Sequence, residues 1–184
     1  HYDVTGRVAV DNYPVEQTDF DTLRSLKLTD INGEKSRGDL IMPTLEEYIS
    51  ICKKYEKTAV LELKNNMTED VILEIVGIVK DMDYLENTVF ISFSLENLIT
   101  LRKTYPLQPA QYLVGEIPDI QEMISTLKKY RLDIDAFFGS ITKEVAEELH
   151  RNGIKINVWT VDSLEDAKKM VEIGVDYITT DIIE

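Results

Sequence analysis

The chain has 184 residues, of which 43% are hydrophobic, and its 8 Gly and 5 Pro are too few for a disordered or low-complexity protein. This composition predicts a globular domain with an adequate core. The 34 acidic and 20 basic residues give a formal net charge of −14, which disfavours nucleic-acid binding because a polyanion would be repelled. An anionic small substrate would need a metal ion or a local Lys or Arg at its site.

Cysteine usage and hydropathy exclude two further classes of protein. Cys52 is the lone cysteine, which rules out an internal disulfide, and its helical context predicts a buried, inert thiol. No run approaches the roughly 18 apolar residues of a membrane span, and the first residues, HYDVTGR, lack the apolar core of a signal peptide. We expect a cytoplasmic protein, whose membrane association would require a segment outside this chain.

The sequence pattern predicts an irregular segment over residues 1–42 and regular βα units over residues 43–184. In the first segment a short helix is predicted near residues 19–28, and turns are predicted at Asp11-Asn12, Asn32-Gly33 and Arg37-Gly38. From Pro43 onward, helical periodicity alternates with short apolar runs. Six strands are predicted at the segments AVLELK, TVFISF, AQYLVG, DIDAFF, KINVWTV and VDYITTD. Strands separated by helices at intervals of roughly 20 to 30 residues indicate a parallel sheet.

Two α/β architectures fit this alternation, a doubly wound open sheet and a (β/α)₈ TIM barrel. Polar residues stand at the carboxyl ends of several strands, among them Lys64, Ser92, Thr160 and Asp181. In a barrel those ends converge on one mouth, which favours the barrel. A complete barrel has eight strands and about 250 residues. The expectation is therefore one barrel domain over residues 1–184 from which the first two strands are missing.

The strand VLELK carries a charged pair. Side chains alternate between the two faces of a strand, so Glu62 and Lys64 point one way while Leu61 and Leu63 point the other. The leucines suit the helix layer of a barrel, which places the charged pair in the lumen near its mouth. A buried carboxylate has to be ion-paired or hold a metal. Judged on this strand alone, a Glu–Lys pair at a solvated strand end fits equally well.

Six segments, taken together and in order, resemble the glycerophosphodiester phosphodiesterase family. VEQTDFDTLRSLKL is similar to its Leu-Thr-x-x-Glu-Leu helix, and IMPTLEEYI to its Ile-Pro-Thr-Leu-Glu-Glu segment. VLELK is similar to its Glu-x-Lys strand and VFISFS to its Ser-Phe strand. NVWTVD and GVDYITTD resemble its closing Trp-Thr-Val-Asn and Gly-Val-Asp-Gly-Ile-x-Thr-Asp motifs.

The resemblance implies a (β/α)₈ barrel that hydrolyses glycerophosphodiesters to sn-glycerol 3-phosphate and an alcohol. It implies a divalent cation, Mg²⁺ or Ca²⁺, with Glu62 as a metal ligand and Lys64 near the phosphate as a catalytic and substrate-binding residue. Phe93 and Trp159 match aromatic residues near the family's substrate pocket, although aromatic packing at the top of the barrel is an alternative for both. The expected partner is therefore a small-molecule glycerophosphodiester.

His1 is the candidate general acid or base. His1 and Arg7 reproduce the spacing of a family His and Arg, while Tyr2 stands where the family has Asp. A first residue can also be a frayed end without a role. His150, near a predicted helix end, is interpreted as structural.

The family's His-Arg pair and its Glu-x-Asp metal ligands have no counterpart in this chain. We expect that they precede His1 in the full protein, because a barrel without two strands would have two unpaired edges. Three alternatives stay open: a non-catalytic phosphate-binding barrel, a related phosphodiesterase or phospholipase acting on another phosphodiester, and an unrelated barrel enzyme that uses Glu62 and Lys64 as an acid–base pair.

Overall fold

The computed structural model describes residues 5–6, 8–30, 32–34 and 38–182. His1, predicted to be catalytic, lies outside the described residues, as do Tyr2 and Arg7. The chain divides into two compact units, His1–Lys57 and Thr58–Glu184. The single barrel domain over residues 1–184 stays a prediction.

The amino-terminal unit contains a 3₁₀ turn at Val15–Gln17 and helices α1 (Phe20–Ser25) and α2 (Leu45–Lys54). Helix α2 begins with a capping box in which Thr44 and Glu47 exchange side-chain to backbone hydrogen bonds. The Arg24 guanidinium donates to both carboxylate oxygens of Glu47 at 2.6 Å, which holds the pKa of Glu47 below its usual value. The Pro-Thr-Leu-Glu-Glu segment therefore begins helix α2, and the Arg24–Glu47 ion pair joins this helix to α1. Cys52 is buried, as its helical context predicted.

The carboxy-terminal unit is built on a six-stranded parallel sheet in which neighbours in sequence are also neighbours in space. A doubly wound sheet would reverse its strand order at a switch point. The consecutive order therefore excludes the doubly wound alternative for the described strands. The strands are β1 (Ala59–Glu62), β2 (Thr88–Ser92), β3 (Ala110–Val114), β4 (Asp133–Phe137), β5 (Ile156–Trp159) and β6 (Tyr177–Ile178).

Five helices follow the first five strands, as the alternation of patterns predicted. They are α3 (Glu69–Asp81), α4 (Leu95–Thr104), α5 (Ile120–Tyr130), α6 (Lys143–Arg151) and α7 (Leu164–Ile173). Asp119, Thr142 and Ser163 cap α5, α6 and α7 through side-chain acceptors. Thr68 stands at the N-cap of α3 without a capping side-chain hydrogen bond. None of the described helices is both long and apolar enough to cross a bilayer.

The sheet has two chemically different faces. On one face, residues such as Phe90, Ile134 and Ile156 are buried against side chains of α3 to α7 and form the core of this unit. The strand registers Leu61↔Phe90 and Ile134↔Ile156 keep apolar residues beside one another on this face. The side chains between them in sequence point to the opposite face, here called the inner face.

Candidate functional site

The carboxyl ends of the parallel strands lie at one edge of the sheet, here called the rim. In barrels and other parallel α/β sheets, ligands bind at this edge. Six side chains of the inner face reach toward the rim: Glu62, Lys64, Phe93, Asp135, Phe137 and Trp159. The rim of the inner face is therefore the candidate active site.

Glu62 and Lys64 form a charged pair on the inner face. Leu63, which lies between them, is buried in the core, and Leu61 packs against the same core. The Lys64 Nζ atom lies 3.4 Å from the Glu62 Oε1 atom, with 13% of the Glu62 side chain and 33% of the Lys64 side chain exposed. The ammonium group thus neutralises a largely buried carboxylate and still has surface available to contact an anion.

Lys64 lies two residues after Glu62, the last residue of β1, and buried polar side chains fix the backbone there. The Ser92 hydroxyl donates to the Leu63 carbonyl at 2.6 Å. The buried Asn97 side chain on α4 donates to the Leu63 carbonyl at 3.2 Å and the Asn65 carbonyl at 2.7 Å, and it accepts from the Met67 amide at 3.0 Å. Asn97 therefore holds both sides of the segment that carries Lys64.

Asp135 is a second carboxylate of the inner face. Only 2% of the residue is exposed, and its Oδ1 atom has no hydrogen-bond partner among the described residues. Burial, opposed by a hydrogen bond from Asn157 and reinforced by the negative charge of Glu62, raises the pKa of Asp135 to about 7. Asp135 can therefore hold or release a proton near neutral pH.

Three aromatic rings lie at the rim. Phe93 and Trp159 meet edge to face with ring centroids 5.6 Å apart, and Phe137 lies 5.8 Å from Trp159. The Trp159 indole donates to the backbone carbonyl of Asp135 at 3.1 Å, which fixes its orientation. Phe93 is 46% exposed and Phe137 is 40% exposed. These rings offer apolar and π surface beside the charged pair.

The described residues do not complete a metal site. No group of three or more His, Cys, Asp or Glu side chains within them lies close enough together to hold an ion. Glu62 and Asp135 provide two carboxylates, whereas Ca²⁺ takes six to eight oxygen ligands and Mg²⁺ takes six, some of them water. Glu62 as a metal ligand stays a prediction.

A cavity of about 550 Å³ lies at the opposite end of the inner face. Val60, Gln111, Asp133 and Tyr177, at or near the amino ends of their strands, are among its lining residues. None of the predicted site residues lines this cavity. It is therefore separate from the candidate site at the rim.

His150 makes a structural contact. Its Nε2 atom lies 2.9 Å from the Asp176 Oδ2 atom, which also accepts from the Ile156 amide at 2.8 Å. Burial alone would raise the pKa of Asp176, but these two hydrogen bonds outweigh it, so the pKa lies below its usual value. The pair joins the end of α6 to β5 and the turn before β6.

The structure brings together four of the five predicted site residues, Glu62, Lys64, Phe93 and Trp159, while His1 lies outside the described residues. Sequence reasoning missed Asp135, Phe137 and Asn97. The strand DIDAF places Asp133, Asp135 and Phe137 on one face, the same alternation that identified Glu62 and Lys64. For Asn97 the signal is an amide four residues before Leu101, on the apolar face of a helix.

A model of the glycerophosphoryl diester phosphodiesterase family matches residues 1–184. The chain is 27% identical over 165 residues to a glycerophosphodiester phosphodiesterase of Caldanaerobacter subterraneus subsp. tengcongensis, a match that covers 87% of this chain and 67% of that protein.

Solved structures are similar over most of the chain. A glycerophosphodiester phosphodiesterase from Parabacteroides distasonis superimposes with a TM-score of 0.70 and 28% identity, covering 91% of this chain and 68% of that chain. An Oleispira antarctica phosphodiesterase, solved in complex with the product sn-glycerol-3-phosphate, gives a TM-score of 0.77. Its identity is 19%, over 98% of this chain and 73% of that chain, so this likeness concerns the fold.

Proposed function

Since the chain belongs to the glycerophosphoryl diester phosphodiesterase family, we propose that it hydrolyses glycerophosphodiesters to sn-glycerol 3-phosphate and an alcohol. The observation that carries this proposal is the Glu62–Lys64 pair on the inner face at the rim. The name of the relative from Caldanaerobacter supports the same reaction.

We further propose that the six strands are part of a (β/α)₈ barrel whose first two strands are not among them. The consecutive parallel order and the helix after each of the first five strands support this architecture. In a closed barrel, the inner face would line a lumen and the rim would form its mouth.

In the proposed reaction, the Lys64 ammonium contacts the phosphoryl oxygens and stabilises the negative charge that increases on them as phosphorus is attacked. Glu62, 3.4 Å away, forms an ion pair with Lys64 that orients it on the inner face. His1 would move the proton, giving it to the leaving alkoxide or taking it from the nucleophile. Either water or a neighbouring substrate hydroxyl fits as the nucleophile.

The family resemblance implies a divalent cation, Mg²⁺ or Ca²⁺, and we propose Glu62 as one of its ligands. A titration tests this part. After complete chelation we expect hydrolysis of glycerophosphocholine to stop and to return on addition of Mg²⁺ or Ca²⁺. Full activity in excess chelator would contradict the metal requirement while leaving the reaction itself intact.

The role of the charged pair is tested by Lys64→Met and Glu62→Gln, with release of glycerol 3-phosphate as the readout. Each variant should lower kcat/KM by about 10²-fold to 10³-fold, the range for loss of one electrostatic stabiliser. The matched controls are Lys103→Met and Glu69→Gln, because these residues form an exposed pair with Lys103 Nζ and Glu69 Oε2 3.8 Å apart. Wild-type kcat/KM in Lys64→Met would refute the proposal.

A non-catalytic phosphate-binding barrel is the second candidate. The Lys64 side chain, 33% exposed beside Glu62, favours it because an ammonium group can bind a phosphate without turning over a diester. Such a protein would bind glycerol 3-phosphate through Lys64 and turn over no diester at any metal concentration. Calorimetric binding together with the hydrolysis assay therefore separates the two candidates.

A further inference from the structure

We infer that a hydrogen bond between Ser94 and Asn66 is a latch across the rim that positions Lys64 relative to Phe93 for the proposed reaction. The inference rests on the proposed function and adds two positioning residues to it, neither of which touches the reacting atoms. The Ser94–Asn66 hydrogen bond is called the rim latch below.

The rim latch joins the two loops that carry Lys64 and Phe93. The Ser94 hydroxyl donates to the Asn66 Oδ1 atom at 2.6 Å. Asn66 lies two residues after Lys64 in the loop between β1 and α3, and Ser94 directly follows Phe93 in the loop between β2 and α4. The bond therefore connects the two loops beyond the carboxyl ends of their strands.

The Ser94 hydroxyl makes this bond instead of capping its own helix. Ser94 is the N-cap residue of α4, yet its side chain makes no capping hydrogen bond. Serine is preferred at this position because its hydroxyl can accept from a backbone amide of the first turn. The N-cap side chains of α5, α6 and α7 do accept such bonds. A helix start that leaves this stabilisation unused is a departure from local sequence preference, and such departures are expected at functional sites.

Ser92 supports the other side of Phe93. Its hydroxyl donates to the Leu63 carbonyl at 2.6 Å and accepts from the Ser94 amide at 3.0 Å. Ser92 is fully buried, whereas the rim latch is exposed. Phe93 thus lies between two serines, and both are hydrogen-bonded to the segment 63–66 that carries Lys64.

The rim latch acts on catalysis more than on stability. Its bond is exposed, where water can replace either partner, so its loss should hardly change the folding equilibrium. A phosphate held at Lys64, by contrast, has to be aligned with its nucleophile, and a displacement of about 1 Å can lower a rate by about 10²-fold. The buried contacts of Ser92 and Asn97 fix the backbone beside Lys64, and the rim latch ties the far end of the same segment to the neighbouring loop.

A double-mutant cycle tests the rim latch. Ser94→Ala and Asn66→Ala should each lower kcat for glycerophosphocholine about tenfold and leave KM within about twofold of the wild type, because alignment is lost while phosphate binding is kept. The double variant should be no slower than either single variant, since both substitutions remove the same bond. Ser94→Thr keeps the hydroxyl and should retain the wild-type kcat. A wild-type kcat in both single variants, or losses that add in the double variant, would overturn the inference.

Ser163→Ala is the matched control, because Ser163 is the N-cap residue of α7 and its hydroxyl accepts from the Asp166 amide at 3.0 Å. This variant should have a lower urea midpoint and an unchanged kcat. Ser94→Ala should show the reverse, an unchanged midpoint and a lower kcat. A lower midpoint with a normal kcat in Ser94→Ala would mean that Ser94 is an ordinary cap, which would also overturn the inference.

A measurement without turnover separates this inference from the proposed function. Trp159 is the single tryptophan of the chain, and its ring centroid lies 5.6 Å from that of Phe93, so its fluorescence reports on the position of Phe93. In Ser94→Ala, but not in Ser163→Ala, the acrylamide quenching constant of Trp159 should rise about twofold as Phe93 is released.

If the wild type hydrolyses no glycerophosphocholine at any Mg²⁺ or Ca²⁺ concentration, the proposed function fails and the quenching measurement alone decides the inference. A higher quenching constant in Ser94→Ala would then support the rim latch. An unchanged constant would overturn it.

Discussion

The two faces of the six-stranded sheet are built from alternate residues of the same strands, yet they differ in chemistry. The face toward the helices buries apolar side chains such as Phe90, Ile134 and Ile156. The inner face carries Glu62, Asp135 and other polar groups, together with the exposed aromatic rings at the rim. Polar groups at buried positions destabilise a fold unless they are partnered, so their place on one face indicates a role other than stability.

This difference predicts that one face provides stability and the other provides activity. Substitutions on the helix-facing side should change the free energy of unfolding and leave the activity per folded molecule unchanged. Substitutions of the polar side chains on the inner face should lower activity and should not destabilise the fold.

Phe90→Ala should destabilise the protein by about 3 to 5 kcal/mol, because it removes a fully buried ring from the centre of the core and leaves a cavity. Urea unfolding measures the change. The control is Val60→Ala in β1, which removes a half-exposed apolar side chain from the inner face and should cost less than about 1 kcal/mol. Equal losses in the two variants would show that both faces contribute alike to stability.

Asp135→Asn should stabilise the protein at neutral and higher pH, which is the opposite of the Phe90 result. Because burial raises the pKa of Asp135 to about 7, the folded protein keeps this proton where the unfolded chain has lost it. Asp135 alone therefore lowers the free energy of unfolding of the wild type by about 1.4 kcal/mol per pH unit between roughly pH 4 and pH 7.

The measurement is urea unfolding of both proteins between pH 4.5 and 8, with a chelator present so that no divalent ion binds the carboxylates. The variant should gain on the wild type as pH rises, to roughly 3 kcal/mol by pH 8. Parallel curves for the two proteins would mean that Asp135 ionises normally. The activity of the variant, by contrast, should fall, because the side chain lies at the candidate site.

How much of the fold and of the candidate site could be predicted depends on the kind of sequence signal. All six strands and the helices after the first five strands follow from hydrophobic periodicity, because each strand buries one face against helices of its own unit. Glu62 and Lys64 were found because two charges alternate with leucines in one short strand. The consecutive strand order was not predictable from the sequence, since a doubly wound sheet gives the same alternation of strands and helices. Only the pairing of the strands in space decides between the barrel and the doubly wound sheet.

The missed residues depend on contacts that periodicity does not encode. Asn97 has the pattern of an ordinary helix residue, and its role arises because the end of β1 passes beside α4. Phe137 reads as one more apolar residue of a strand, and its exposure follows from its position at the rim. The raised pKa of Asp135 depends on burial and on Glu62, which is 73 positions earlier in the sequence. Burial, exposure and contacts between distant residues depend on the fold, so they can be recognised only once the structure is known.

Asn97→Ala tests how the two faces are connected. Asn97 is buried on the helix-facing side, but it fixes the backbone that carries Lys64 on the inner face. Loss of its amide leaves the Asn65 carbonyl and the Met67 amide without that partner, which should cost about 1 to 3 kcal/mol. Unlike Phe90→Ala, the variant should also lose activity per folded molecule, since the backbone that carries Lys64 is released. The two readouts are urea unfolding and kcat/KM.

Asn152→Ala is the control, because Asn152 donates to the Glu148 carbonyl at 3.0 Å near the end of α6, away from the rim. It should leave kcat/KM unchanged. Normal kcat/KM in Asn97→Ala would show that Lys64 is positioned without this amide.

Asp176→Asn should give the smallest effect and the simplest pH signature. Burial alone would raise the pKa of Asp176, but the hydrogen bonds from the Ile156 amide and His150 lower it, so this carboxylate stabilises the fold when ionised. That stability is present above the ordinary pKa near 4 and is lost as pH falls through the lower folded value. At neutral pH the variant should be about 1 kcal/mol less stable than the wild type, and the difference should shrink below about pH 4. The variant should be as active as the wild type, because the His150–Asp176 pair lies outside the rim. A drop in kcat/KM at unchanged stability would instead place Asp176 at the inner face.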